Sequence, residues 1–286
     1  MSKLTFMGKE YEVQELNSEL VGLAAELAKN AKIQDPPPAN EDLTPEDDKK
    51  VQEQINAITK IGFPRVMTNA WWNAFIAQHL PALVSALKNA SRETQKLYVS
   101  MLIEILSLFP DPKESSYFRR FLTNSELCIG LPTLIARHFV EGIEWKRPSG
   151  PGHICTLIIH TVHWCDPSLG DDGKCSIDAD IRARLCDKTK TLIDQLKGRL
   201  EQMQLIEIER LNGLLGFLDS LPGGQYVRST RDYLEGQVDM CERWECGEDE
   251  APLRCSKCRS ARYCGKKCQN WHWKNGHKLN CFESTF

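Results

Sequence analysis

RCSKCRSARYCGKKCQNWHWKNGHKLNC, residues Arg254–Cys281, packs five cysteines and two histidines into 28 residues. Two cysteines just upstream complete the pattern: Cys241-x4-Cys246, Cys255-x2-Cys258, Cys264-x3-Cys268 and His277-x3-Cys281. Each pair is spaced so that one turn or one helical step brings both side chains to the same point. Cys-x2-Cys makes a tight knuckle, and the x3 spacings are i, i+4 pairs that stack on one helix face. Eight soft ligands in four close pairs imply two closed, tetrahedral zinc sites with no position left for water, and closed sites are structural rather than catalytic.

With seven cysteines, one histidine completes two four-coordinate sites. His272 lies four residues after Cys268, so spacing alone allows it. A pair made from His272 and Cys281 would be nine residues apart, however, and would leave Cys281 without a local partner. His277, four before Cys281, is therefore the favoured ligand. From Cys241 to Phe286 there are nine Lys/Arg against six Asp/Glu, so seven thiolates and two Zn²⁺ bring this segment to about zero charge. The basic residues GKK and KCR thus offset thiolates and need not form a nucleic-acid patch. So short a segment has little apolar core, and metal binding supplies most of its folding free energy, about 10 kcal/mol or more per site.

Of the chain's 12 cysteines, the other five (Cys128, Cys155, Cys165, Cys175, Cys186) are scattered and read as small buried hydrophobes. Clustered thiols, with no charged-then-apolar leader in MSKLTFMGKEYEVQELNSEL, favour metal ligation in a reducing compartment over disulfides. No run of 18 apolar residues spans a membrane. The expected location is intracellular, cytoplasmic or nuclear. A formal net charge of −3 gives no global case for nucleic acid.

Upstream of the cysteines, apolar residues recur at helical steps. Val13, Leu16, Leu20, Leu23, Ala24 and Leu27 mark a first helix within 11–34. QDPPPANEDLTPEDDKK then reads as a solvated acidic linker. Trp72, Phe75, Ile76, Leu80, Leu83, Val84 and Leu87 form a core-facing stripe, with Pro81 expected to kink it or to start a second helix. The spacing of Trp71 and Trp72 reads as core packing rather than a ligand platform. A helix over Ser91–Phe109 opens on a cap-type serine. Further helices are expected over 125–140 and 154–164. The long stripe from Ile177 to Leu221 should divide near Gly198. His160 and His163 share a helix face, but apolar surroundings favour a core or loop role over a further metal site.

The tail resembles a MYND-type zinc finger over Cys241–Cys281, on the elements CSKC, ARYC, the CQ of KKCQ, and HWKNGHKLNC. The family pattern places a tryptophan shortly before an HK pair, here Trp273 and then His277–Lys278, which leaves His272 at a non-ligand position. Cys268-x8-His277 is one residue longer than the tightest family version, with Asn275–Gly276 absorbing the extra residue. The resemblance implies an interleaved, cross-brace arrangement. Cys241, Cys246, Cys264 and Cys268 would hold one zinc, and Cys255, Cys258, His277 and Cys281 the other. It also implies protein interaction through short proline-containing peptides, gripped at Ser256, Gln269 and Trp273. Packing of Trp273 over the zinc core is compatible with that role, since one face can pack while the other stays open.

The expected architecture is all-α, a helical bundle or an armadillo-like array of helix pairs, with a small C-terminal two-zinc cross-brace finger. Its divisions are an N-terminal helical segment 1–34, a linker 35–50, a helical scaffold 51–240 and the finger 241–281. MYND-bearing SET methyltransferases carry an Asn-His-Ser-Cys element and iron-dependent hydroxylases a His-x-Asp, and neither occurs here. No P-loop, dinucleotide fingerprint or Gly-x-Ser-x-Gly is present either. The reading is therefore a non-enzymatic adaptor with a protein or proline-containing peptide as partner. The alternative is a transcriptional regulator touching DNA or chromatin directly, which would need a basic face beyond the near-neutral metallated finger.

Overall fold

A computed structural model describes residues 4–6, 9–59, 64–144, 148–196, 198–238, 240–243, 245–248 and 250–286. An antiparallel hairpin of β1 (Leu4–Phe6) and β2 (Lys9–Tyr11) leads into α1 (Val13–Asn30) and α2 (Pro45–Thr59). Next come α3 (Arg65–Asn89), α4 (Lys96–Ser107), α5 (Ser116–Leu122), α6 (Ser125–Cys128) and α7 (Leu131–Glu141). The body closes with α8 (Pro151–Trp164), α9 (Ala179–Leu196), α10 (Gln202–Ser220) and α11 (Gln225–Val238). A second hairpin, β3 (Leu253–Arg254) with β4 (Arg262–Tyr263), then α12 (Lys266–Lys274) and a 3-10 turn over His277–Asn280 make the finger. The all-α expectation holds, with β structure confined to these two small hairpins among the described residues.

Two helices organise the body because they are apolar around most of their circumference and must be covered on every side. Helix α3 buries Trp71, Trp72, Phe75, Ile76, Leu80 and Leu83 and is flanked by α1, α4, α5 and α7. Helix α8 buries Ile154, Leu157, Ile158 and Val162 beneath α10, α11, α4, α7 and α5. Edge-to-face rings join the two centres: Trp72 to Phe109 at 5.3 Å between centroids, Phe109 to Phe118 at 5.4 Å, and Phe118 to His160 of α8 at 6.4 Å. All five scattered cysteines are buried and unbridged. Gly198 adopts φ 78°, the left-handed conformation glycine tolerates, and divides α9 from α10 where expected.

Several expectations are corrected. Helix α3 runs through Pro81 without ending. Proline cannot donate to the carbonyl four residues earlier, and that carbonyl, Ala77 O, instead accepts from Thr285 N at 2.9 Å. The helix expected from Ser91 starts at Lys96, because its cap comes from a distance. Asp42 accepts from Leu97 N and Tyr98 N, both at 2.9 Å. Within the acidic stretch, the carbonyls of Pro37, Pro38 and Glu41 accept from Gln95 Nε2, and Pro45 already opens α2. Composition does not show this order, which comes from polar contacts with another helix together with the buried Leu43. The expected 125–140 helix is broken at Gly130, with φ 71°, and α11 adds a helix after the Ile177–Leu221 stripe.

Candidate metal centre

Each ligand pair is set by a local device. In the Cys255–Cys258 knuckle, Arg259 N donates to Cys255 O at 2.9 Å and Cys255 N to Ala261 O at 3.0 Å, which folds the chain back into β4. Glu242 N reaches Arg262 O at 3.0 Å and lays the Cys241 segment along the hairpin. Helix α12 opens just after Cys264 and carries Cys268 on its first turn. Gly276, at φ 139°, then reverses the chain, a conformation that requires glycine here, and delivers His277 and Cys281 beneath the hairpin.

The result is two clusters. The candidate ligand atoms of Cys241, Cys246, Cys264 and Cys268 all lie within 4.8 Å of one another, as do those of Cys255, Cys258, His277 and Cys281. Sulfur separations are 3.3 Å for Cys246–Cys264, 3.5 Å for Cys264–Cys268 and 3.7 Å for Cys255–Cys281. Cys258 Sγ lies 3.7 Å from His277 Nε2. A tetrahedron of Zn–S bonds about 2.3 Å long has edges of about 3.8 Å, so both sets fit a zinc ion in size and in donor chemistry. The pairs interleave along the chain, first with third and second with fourth.

The thiols of the second cluster divide their protons unevenly. Side-chain hydrogen bonds with Cys258 and Cys281 hold Cys255 far below the ordinary thiol value. Hydrogen bonds with Cys255 and Cys258 push Cys281 far above it. Burial would lower His277, but hydrogen bonds with Cys255 and Cys258 carry it up to about 9. Such a set draws in positive charge, and a divalent ion supplies it by displacing the protons.

His272 is differently engaged. Its Nδ1 lies 3.1 Å from the hydroxyl of Tyr263, a fully buried residue, and burial pushes its pKa down to about 4. The expected peptide-contact residues lie near the surface. Ser256 is exposed in the knuckle, Gln269 is half-buried, and Trp273 is 39% exposed on the last turn of α12. Gln269 and Trp273 are one helical turn apart on the same face. The Trp273 ring meets His277 at 5.9 Å between centroids and 65°. His160 and His163 belong to no such cluster: His160 Nε2 lies 3.5 Å from Asp111 Oδ2, and burial lowers His163 to about 4.

What the sequence did not reveal is how the finger sits on the body. Its second cluster is built into an interface. Tyr117 Oη lies 3.0 Å from both Asn280 O and Phe282 O and accepts from Phe282 N at 2.7 Å. Arg120 donates from Nη1 to Cys258 O at 2.9 Å and from Nη2 to Ser284 Oγ and Phe286 O, both at 2.5 Å. Asn17 Nδ2 donates to Lys278 O at 2.8 Å, and Asn73 Nδ2 to Asn280 Oδ1 at 3.3 Å. Helices α1, α3 and α5 therefore all hold the segment around His277 and Cys281. Only the apolar Phe282 after the last ligand, 2% exposed in the fold, hinted at this in the sequence.

Comparison with known proteins agrees with the cluster geometry. Residues 239–281 match the family described as MYND finger. The chain is similar to ubiquitin carboxyl-terminal hydrolase 19 of Arabidopsis thaliana, 42% identical over 57 residues, or 19% of this chain and 8% of that protein. It is 50% identical over 42 residues to ubiquitin C-terminal hydrolase 15 of Oryza sativa subsp. japonica, covering 14% of this chain and 4% of the relative. An F-box protein of Arabidopsis thaliana is 25% identical over 111 residues, 37% of this chain and 29% of its own. The hydrolase matches lie in the finger, a binding domain, so they carry no catalytic segment onto this chain. The chain thus spans under a tenth of the hydrolases' length. No solved structure matches. Among the described residues no helix is long and apolar enough to cross a membrane.

Proposed function

Taking a MYND finger at residues 239–281 as the premise, we propose that the protein is a non-enzymatic adaptor whose finger captures a short proline-containing peptide of a partner protein. Cys241, Cys246, Cys264 and Cys268 hold one structural zinc, and Cys255, Cys258, His277 and Cys281 hold the other. Closed coordination of this kind fixes the hairpin and α12 relative to one another and offers no open position to a substrate. The helical body presents the finger and is available for a second contact. Thiolate sites of this density need a reducing compartment, the cytoplasm or the nucleus.

The observation that supports peptide recognition is the half-exposed Trp273. Its ring edge rests on His277, and Gln269 lies one turn away on the same face. An aromatic surface beside an amide and a short exposed hairpin edge suits an extended peptide, with the ring receiving prolines and main-chain groups giving affinity. The test is titration of the full chain with proline-rich peptides. Trp273→Ala should weaken binding by about 30-fold or more, the usual loss at a central aromatic contact, with two zinc retained per chain. Unchanged affinity in that variant would move the recognition surface elsewhere.

A further inference from the structure

A second concave site lies where the finger meets the body. A cavity of about 240 Å³ is lined by six arginines, Arg119, Arg120, Arg231, Arg254, Arg259 and Arg262, and by one carboxylate, Glu235. Glu235 is already bound to Arg231, with Oε1 2.7 Å from Nε. Arg254 on β3 and Arg259 in the knuckle are exposed, and no carboxylate among the described residues pairs with either. Arg120 Nε is buried with no hydrogen-bond partner. The cluster is short of negative charge on its own account.

Offsetting the thiolates does not explain it. A cluster of three thiolates and one histidine around Zn²⁺ carries a formal charge of only −1, while Arg120, Arg254 and Arg259 all face this one hollow. Every lining cation is an arginine, whose planar fork matches the oxygens of a phosphate in a way that a lysine ammonium does not. Arg259 is also held at φ 57°, a conformation more natural to glycine, in the turn that aims it at the cavity rim.

We propose that this groove binds the phosphate of a phosphorylated side chain on a partner protein, as a site separate from the Trp273 surface. The cavity suits a single phosphate monoester with its water. Its charge converges on one hollow shared by α5, α11 and the finger hairpin, whereas duplex nucleic acid asks for cations spread along a stripe. The neighbouring hollow shares Arg120, Arg254 and Arg259 and adds no further cation, only the acidic Glu126, so the positive charge does not continue as a stripe beyond the first hollow. A phosphopeptide entering beside β3 meets Arg254 and Arg259 first, and Arg120 lies behind them.

The test uses the full, zinc-loaded chain and fluorescent degenerate peptide pools centred on phosphoserine, phosphothreonine or phosphotyrosine, each with its unphosphorylated twin. Inorganic phosphate and a 20-base-pair duplex serve as further probes. At least one phosphorylated pool should bind about tenfold or more tightly than its twin, as gain of charge-assisted hydrogen bonds implies. The double variant Arg254→Glu, Arg259→Glu should abolish the difference while keeping two zinc. Arg254→Lys, Arg259→Lys should lose part of it, because charge remains and the fork does not. Lys266→Glu, Lys267→Glu, an equal charge change on α12 outside the cavity, should keep it. Equal binding of twin pools, survival of the difference in the arginine-to-glutamate variant, or duplex binding that displaces the phosphorylated pool would each overturn the proposal. Inorganic phosphate that competes as well as the peptide would also overturn it, by making the site one for the free ion.

Discussion

The two thiol clusters of the finger are alike in donor number and differ in what lies behind them. Around Cys255, Cys258, His277 and Cys281 all four residues are buried, and α1, α3 and α5 contribute side chains that bond the adjoining main chain. Around Cys241, Cys246, Cys264 and Cys268 two of the four are only half-buried, and beside them Arg243 stacks on Trp271 of the finger at 5.4 Å. The same metal chemistry therefore serves two ends. The outer cluster staples a small hairpin to a short helix. The inner cluster joins that unit to the hydrophobic core, which continues without a break from Leu16 to Phe282.

Removing one ligand at a time puts the largest strain on this contrast. Cys258→Ala or His277→Ala should release the inner zinc and, with it, binding energy of about 10 kcal/mol. Thermal melting of the body should then fall as well. Cys246→Ala should release the outer zinc and leave the body's transition nearly unchanged, and His272→Ala should keep both ions. Metal analysis with calorimetry reads all four variants. If Cys246→Ala lowers the body's melting as far as Cys258→Ala does, the two clusters are equivalent and the contrast fails.

A smaller effect is expected at the seam. Tyr117→Phe takes the hydroxyl from Phe282 N and from the carbonyls of Asn280 and Phe282, leaving buried main-chain groups unpaired. The cost is about 1–3 kcal/mol, measurable by denaturant unfolding. Release of one zinc equivalent to a chelator should accelerate while the other stays as slow as in the parent protein. Acceleration of both would mean that the seam supports the whole finger evenly.

Pro81→Ala should have the smallest energetic effect, within about 1 kcal/mol once the regained helical bond is set against the disturbed one. Its signature is local: the restored amide competes for Ala77 O, so Thr285 N–H should exchange faster with solvent while two zinc remain bound. An unaltered Thr285 exchange rate would show that the tail is held by Arg120 and Tyr117 alone.

The sequence made some of this legible and hid the rest for a physical reason. Ligand spacing is a local signal, as is the apolar stripe of α3 or the left-handed glycine between α9 and α10, and each could be read within a window of a few residues. The cap of α4 by Asp42 joins residues 55 positions apart, and Tyr117 meets Phe282 across 165. No periodicity encodes such pairs. Prolines and acids around Asp42 resemble a solvated linker by composition because what orders them is Gln95 and two amides on α4. The arginine groove was equally hidden, since it draws on α5, α11 and the knuckle, and the knuckle's basic residues read locally as offsets for the thiolates.

Pro81 carries a consequence for the order of assembly. By omitting one donor, α3 presents an acceptor that its own helix cannot satisfy, and the group that fills it lies 208 residues further along the chain. Contacts of that span close late, after the local helices have formed. The body must therefore wait, one bond short, for a strap that takes its shape only when His277 and Cys281 have found their metal. Zinc supply would then bear on the completion of the helical domain, and hydrogen exchange along α1 and α3 in chelated protein would register the unfinished state.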